Sequence, residues 1–399
     1  MKFDALVLDA GLRQSLVTVR SLGRRGRSVA VLERVGDVPA FSSRWCQRQY
    51  VCPTNCATET YLAFLEQLLE LPGARVLISS NDGTIELLRR HRAQLEKRVR
   101  IALAKEPALA IAVNKERTLA VANRLGIRVP PGVVARNVDD VPFALKEIGL
   151  PAVVKPNESW IWNGNGGIRV NCQVVTTAVE AHHAVAELTR LGGSILFQRL
   201  LSGRREAVSL LYANGEIYAR FAQWARRTDP PLGGESVLRQ SIAVPADIGA
   251  QSERIVREID LNGYSEVEFR RDGEGVPYLM EINPRLSASV EIAVRSGVDF
   301  PYLLYQWANE ERIDRIERYR VGGWMRHLKG DIMTTVATLR QQGRPGIVPA
   351  MQAILGFSSS FFKPMAYDYL DWGDPLPAVK ATTAFTRTLM KKFVGRNAL

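Results

Sequence analysis

Apolar residues run from Phe3 to Leu8 and stop at Asp9-Ala10-Gly11. Leu16, Val19 and Leu22 then recur at helical spacing as far as Gly26, and Ser28 to Glu33 (SVAVLE) is a second apolar run. Strand, glycine turn, helix and strand are the opening of a βαβ unit, whose parallel strands are buried on both faces and therefore read as unbroken apolar runs. Val76 to Ser80 and Arg100 to Ala104 supply two further strands, so residues 1–104 predict a Rossmann-like α/β domain. The pattern then changes. A helix is predicted over 114–125 (NKERTLAVANRL), a strand at Pro151 to Lys155, a Gly/Asn-rich loop over 163–167 and a helix over 178–191. Ile195 to Leu201, Ala207 to Tyr212 and Glu216 to Gln223 read as strands, the last two joined by the hairpin turn Asn214-Gly215. Tyr264 to Arg271 and Pro277 to Ile282 pair through Asp272-Gly273-Glu274-Gly275. Residues 105–310 thus predict an α+β domain on an antiparallel sheet, and 311–399 a helical extension.

A chain of 399 residues exceeds one small core, which agrees with two or three domains. The formal net charge of +12 admits nucleic acid, an anionic membrane surface or anionic small substrates as partners. Neither a zinc-finger spacing nor an RNA-binding aromatic signature accompanies it, so nucleic acid is set aside in favour of small anions. Cys46, Cys52 and Cys56 cluster without a neighbouring histidine and without paired CxxC spacing, which reads as reduced thiols and not as a zinc site. Met1 leads straight into a strand, and no run reaches the roughly 20 apolar residues of a membrane span, so a cytoplasmic protein is expected. Gly11 is a lone glycine, not a G-x-G-x-x-G fingerprint, although Glu33 stands where a ribose-binding acid would; a tight turn is the plainer reading than a dinucleotide site.

The hairpin over 264–283 carries the clearest chemistry. Alternation puts Val267 and Phe269 on one face and Glu266, Glu268 and Arg270 on the other. Leu279 and Glu281 are expected to share a face on the second strand, with Asn283 two residues on. Glu268, Glu281 and Asn283 would then form an all-oxygen cluster of the kind magnesium takes alongside substrate phosphates. Arg285 follows, placed to pair with phosphate or carboxylate oxygens. A solvated acidic hairpin is the bland alternative. Lys155 tips the balance, because it ends an apolar strand just before a glycine-rich loop, where an ammonium can reach phosphates that loop amides cover. The segment is not a P-loop, which requires G-x-x-x-x-G-K-[ST].

Taken in order, Asn114-Lys115 before GIRVPPG, PAVVKP, NGNGG, ILFQRLLSGRREAV, EVEFRRDG and YLMEINPRLSAS resemble the ATP-grasp superfamily, which includes biotin carboxylase, carbamoyl-phosphate synthetase and D-alanine–D-alanine ligase. The opening VLDAGLRQSLVTVRSLGRRG is similar to the bacterial branch of carboxylate–amine ligases that also holds D-aspartate ligase. The resemblance implies an ATP-grasp fold with a Rossmann-like pre-ATP-grasp domain, and a lid over about 115–195. It implies ATP with two magnesium ions, for which manganese can substitute. By position, Lys115 and Lys155 would contact phosphates, and Gly164, Gly166 and Gly167 would belong to the lid loop. Gln198, Arg199, Leu200 and Leu201 would form the adenine hinge, and Glu206 would approach the ribose. Arg239 would face the γ-phosphate, Arg285 would steady an acyl-phosphate, and Glu268, Glu281 and Asn283 would hold magnesium. Two departures stand out. Gln198 replaces a hinge glutamate common among relatives, and Ser287 and Ser289 stand where biotin carboxylase carries a glutamate base.

The implied reaction joins a small-molecule carboxylate to an amine through an acyl-phosphate, which needs no protein nucleophile. A non-catalytic ATP-binding module and a carboxylase-type enzyme are the rivals. A homodimer is the expected assembly. DWGDPLP (371–377) recurs in the same branch without an evident role. Lys380, Arg387, Lys391, Lys392 and Arg396 share a helical segment with Phe385, Leu389 and Phe393. That pattern suits a helix docked on the body with a wet basic face, or a weak membrane-surface contact.

Overall fold

The computed structural model describes residues 2–53, 58–70, 73–162 and 167–394. Strands β1 (Phe3–Val7), β2 (Val29–Glu33), β3 (Arg48–Val51), β4 (Ala74–Ile78) and β5 (Arg100–Ile101) form a parallel sheet in the order β3-β2-β1-β4-β5. This is the expected α/β layer. The exposed edge strand β3 escaped the pattern because its residues do not form an apolar run. The order reverses at β1, so the carboxyl ends of β1 and β4 flank a topological switch point, where open α/β sheets carry ligands. Helix Arg13–Arg24 is buried along nearly its whole length, polar residues included, because a later part of the chain covers its outer side.

The next sheet is antiparallel, with β6 (Gly132–Ala135), β7 (Ala152–Pro156), β10 (Gln173–Val175) and β11 (Ile195–Arg199) in the order β10-β7-β11-β6. A separate ribbon pairs β8 (Trp160–Trp162) with β9 (Gly167–Arg169). Helices Val141–Ile148 and Ala178–Arg190 cover the antiparallel sheet, and Ala144, Ala184, Val185 and Phe197 share its core.

The largest sheet holds β12 (Arg205–Ala213), β13 (Glu216–Asp229), β14 (Glu235–Ile242), β15 (Gly263–Arg271), β16 (Pro277–Asn283), β17 (Trp324–Arg326) and β18 (Ala366–Tyr367), ordered β16-β15-β12-β13-β14-β17-β18. The helical extension expected after residue 310 also contributes strands. Residues beyond 310 include helices Leu328–Arg340, Ala350–Ser359 and Leu376–Val394, but they also supply the two last strands of this sheet. Those strands are three and two residues long, too short for an alternation to show in the sequence.

Candidate functional site

The predicted cluster forms at the β15–β16 edge of the large sheet. Glu268 and Glu281 are directly opposed across the two strands, and Glu266 opposes Asn283. The register slips between Glu268 and Phe269, whose partner is Leu279, so Met280 is an extra residue on β16. That bulge corrects the expected alternation. Leu279 packs with Phe269 in the core, while Glu281 turns to the opposite face beside Glu268. Asn283 Nδ2 donates to Glu268 Oε1 at 3.0 Å, which brings all three oxygen-bearing side chains together.

Protein cations balance this cluster. Arg205 donates through Nε to Glu268 Oε2 at 2.9 Å, and Lys115 Nζ lies 3.4 Å from Glu281 Oε2. Burial works against ionisation of Glu281, but Lys115, Lys155, Arg205 and Arg285 overcome it and hold its carboxyl at about 2. Glu268 goes the other way. Burial, with Glu281 and Glu266 as neighbouring charges, pushes it up to about 7 against the pull of Arg205. Two adjacent carboxylates are thereby split in basicity, as expected when like charges share a site.

Lys115 is placed by its helix. Asn114 caps helix Lys115–Arg124 by accepting the Arg117 N–H at 3.0 Å, and its own Nδ2 binds Glu158 at 3.0 Å. The Lys115 N–H donates to Asn157 O, and Nζ reaches Ser159 Oγ at 3.3 Å. Lys155 sits on β7 opposite Leu196 and is buried. No ion pair engages its ammonium among the described residues, and burial lowers its pKa while Cys172, Glu281 and Glu268 oppose that fall. A buried ammonium without an ion-pair partner among the described residues has the chemistry to receive an anion. Beside these groups opens a cleft whose lining includes Asp82, Lys115, Trp160, Glu281 and Asn283.

Arg285 reaches from the end of β16 to Asp82, in the first turn of helix Asp82–Arg90, so the large sheet and the α/β layer are joined across the cleft. Nearby, Asp9 follows β1 with a left-handed φ of 58°. Its carboxylate accepts Ser79 Oγ at 2.7 Å and Thr84 Oγ1 at 2.6 Å, and burial raises it to about 6. A non-glycine residue held in that conformation at a switch point is strain of the kind found at functional positions. Asp9, Asp82 and Arg205 were not singled out from sequence. Asp82 was legible as the N-terminal turn of a helix, and Arg205 only once its register with β15 is known.

Other predicted residues lie elsewhere. Arg239 is fully buried on β14, with three strands of the same sheet between it and β16, and its guanidinium is taken by Asp368 at 2.5 and 3.1 Å. The sequence reading missed this because the two residues are 129 positions apart. Glu206 opposes Phe269, so alternation turns it to the face away from Glu268, where Arg271 (2.7 Å) and Arg204 (3.1 Å) clasp it. The structure does not bring Arg239 or Glu206 to the cluster. Gln198 is buried on β11, and the Arg199 and Leu200 N–H groups already donate to Pro131 O and Pro151 O; Leu201 is buried beside them. Gly167 lies against Trp160, where an added Cβ would fall 2.2 Å from Nε1. Gly164, Gly166 and Cys56 lie outside the described residues. Glu33 spends its carboxylate on the Gly11 and Arg34 N–H groups, both at 2.7 Å. Ser287 and Ser289 are hydrogen-bonded to each other at 3.0 Å, and Ser289 accepts from Gln223 at 2.6 Å, which also holds Glu266 at 3.0 Å.

Among the described residues no three of His, Cys, Asp and Glu converge to hold a metal by themselves. Two carboxylates and one amide fit magnesium nonetheless, since that ion keeps waters and takes oxygens from phosphate.

A family model described as ATP-grasp in the biosynthetic pathway with Ter operon matches residues 194–327. D-alanine–D-alanine ligase of Chromohalobacter salexigens is 26% identical over 216 residues, covering 49% of this chain and 64% of the ligase. The large chain of carbamoyl phosphate synthase from Xylella fastidiosa is 24% identical over 196 residues, covering 46% of this chain and 18% of the synthase. The chain thus spans less than two thirds of either relative. Biotin carboxylase from Campylobacter jejuni, crystallised as a β,γ-ATP complex, superposes with a TM-score of 0.66 at 15% identity, over 81% of this chain and 74% of the carboxylase.

Proposed function

We propose that the chain is an ATP- and magnesium-dependent carboxylate–amine ligase of the ATP-grasp kind, the family whose model matches residues 194–327 and whose fold the chain shares. The observation that carries the proposal is the convergence of Glu268, Glu281 and Asn283 with the buried cations Lys115 and Lys155 beside one cleft. Bound between them, magnesium would neutralise the triphosphate through Glu268, Glu281 and Asn283. Lys115 and Lys155 orient the phosphates and offset their charge, in a setting where burial strengthens each interaction.

A substrate carboxylate then attacks the γ-phosphorus. The P–O bond to ADP breaks, and an acyl-phosphate forms. An amine attacks the acyl carbon, loses its proton and expels phosphate, which leaves an amide. Trp160, on the β8–β9 ribbon, lines the cleft and would help to exclude water, to which an acyl-phosphate is sensitive. Arg285, anchored by Asp82, steadies the anionic intermediate at the boundary with the α/β layer, whose switch point receives the organic substrates. Residues 1–104 serve as the pre-ATP-grasp domain and 105–310 as the ATP-grasp domain.

The test is an ADP-release screen of carboxylates against amines with mass detection of products. The reading predicts ADP only when both substrates are present, with a product equal to their sum less one water. ADP formed equally without either substrate, or a carboxylated product with bicarbonate, contradicts it.

A further inference from the structure

From Ile332 to Tyr367 the chain contains Arg340, Arg344 and Lys363 and not one Asp or Glu. The acids bordering and following that stretch face inward. Asp331 is held by Arg227 at 2.7 Å and Arg326 at 2.6 Å, and Asp368 by Arg13 at 2.7 Å and by Arg239. Asp371 takes Arg24, Asp374 takes Arg20 at 2.9 Å, and no acid follows Asp374. From Asp331 onward the chain therefore spends its negative charge on docking and leaves its outer side apolar and cationic.

Within it, Pro345 to Phe362 carries no charge, and helix Ala350–Ser359 has no buried residue. One side of this helix is nevertheless anchored. Arg227 donates to Gly356 O at 3.2 Å and to Ser360 Oγ at 3.0 Å, and the Arg326 guanidinium lies over Phe357 and Phe361 at 4.5 and 4.2 Å. That anchoring fixes the orientation and turns Met351, Leu355 and Phe362 outward, 67%, 60% and 90% exposed. Met351 and Leu355 are four residues apart on one side of the helix, Phe362 closes the 3-10 turn that follows it, and Ile354 and Val348 are also exposed.

We propose that this helix docks the protein on an anionic phospholipid bilayer, lying in the interface with Met351, Leu355 and Phe362 inserted and Arg340 and Lys363 on the headgroups. Charge complementarity selects this occupant. A second copy related by a two-fold axis would bring like-charged flanks together. Nucleic acid would meet uncharged side chains where phosphate contacts require cations. Docking is peripheral, since no helix among the described residues is long and apolar enough to cross a membrane. The surface is separate from the nucleotide cleft and does not depend on the reaction assigned to it.

The test is co-sedimentation of the full chain with vesicles of phosphatidylcholine alone or mixed with phosphatidylglycerol. Binding is expected to the mixed vesicles only, to weaken at high salt, and to fall about tenfold or more in a Met351→Ser, Leu355→Ser, Phe362→Ser triple variant. The triple variant should keep the wild-type melting temperature, because the anchoring side is untouched. Phe362→Trp should show a blue-shifted emission on the mixed vesicles. Equal sedimentation of wild type and triple variant overturns the proposal. So does a concentration-dependent dimer that the triple variant abolishes, or binding lost only in a Lys391→Gln, Lys392→Gln variant of the tail.

Discussion

Two carboxylates opposed across adjacent strands repel each other unless something separates their ionisation. Here Lys115 and Lys155 do so on one side and burial on the other, so Glu281 is held at about 2 while Glu268 rises to about 7. Both residues were legible in the sequence, because a hairpin with an E-x-N-P-R ending displays its acidic face plainly. The partners of Arg239 and Glu206 were hidden for the opposite reason. A lone charged residue on a strand says nothing about which distant partner folding will supply, and Asp368 and Arg271 supplied them. Asp9 shows the same limit, since its strain and burial exist only in the folded chain. Its carboxyl is raised to about 6 by burial, so the unfolded chain loses this proton first as pH rises. Stability from this group is therefore full below about pH 4 and lost by about pH 6. Asp9→Asn removes that loss. The melting temperature of wild type minus that of the variant should fall between pH 4 and 7, and a flat or rising difference counts against this account.

At the scale of elements, the decisive feature is the bulge at Met280. The alternation period of two predicts a shared face for Leu279 and Glu281, and one extra residue overrides it. The strands themselves were found because their apolar runs and turn residues are explicit; a bulge leaves no such mark. Deleting Met280 makes Leu279 and Glu281 successive residues, and a regular ladder then puts them on opposite faces, as the bulge does now. The expected outcome is a deletion variant that keeps ADP release, with a melting temperature within a few degrees of wild type, read by calorimetry. Loss of ADP release in the folded variant would mean that the bulge does more than set the orientation of Glu281.

At the scale of the whole molecule, the parallel layer and the antiparallel sheets were readable from the switch between apolar runs and alternation. The extension was not, because its contribution is ionic and long-range. Asp368 joins Arg13 of the first layer to Arg239 of the large sheet, and Asp374 closes on Arg20, Ser43 and the Arg44 N–H. The DWGDPLP segment thus acts as a clasp on helix Arg13–Arg24, which explains the buried polar residues of that helix. Asp368→Asn strands two buried guanidinium groups and should destabilise the protein by about 3–5 kcal/mol in denaturant unfolding. Asp368 is held well below the usual carboxylate range by Arg239 and Arg13 against the effect of burial. Its contribution is therefore present above about pH 4 and lost toward lower pH, so the gap between wild type and variant should narrow in acid. A variant within 1 kcal/mol of wild type, about the size of an exposed pair, would contradict the clasp.

The central claim is that Glu281 serves a nucleotide-bound metal and not the fold. It is tested most directly by measuring ADP release and melting temperature together in Glu281→Gln, with the carboxylate and amine found by the screen. The account predicts a fall in ADP release of about a hundredfold or more, with the melting temperature within a few degrees of wild type. Unchanged turnover in the folded variant would contradict it.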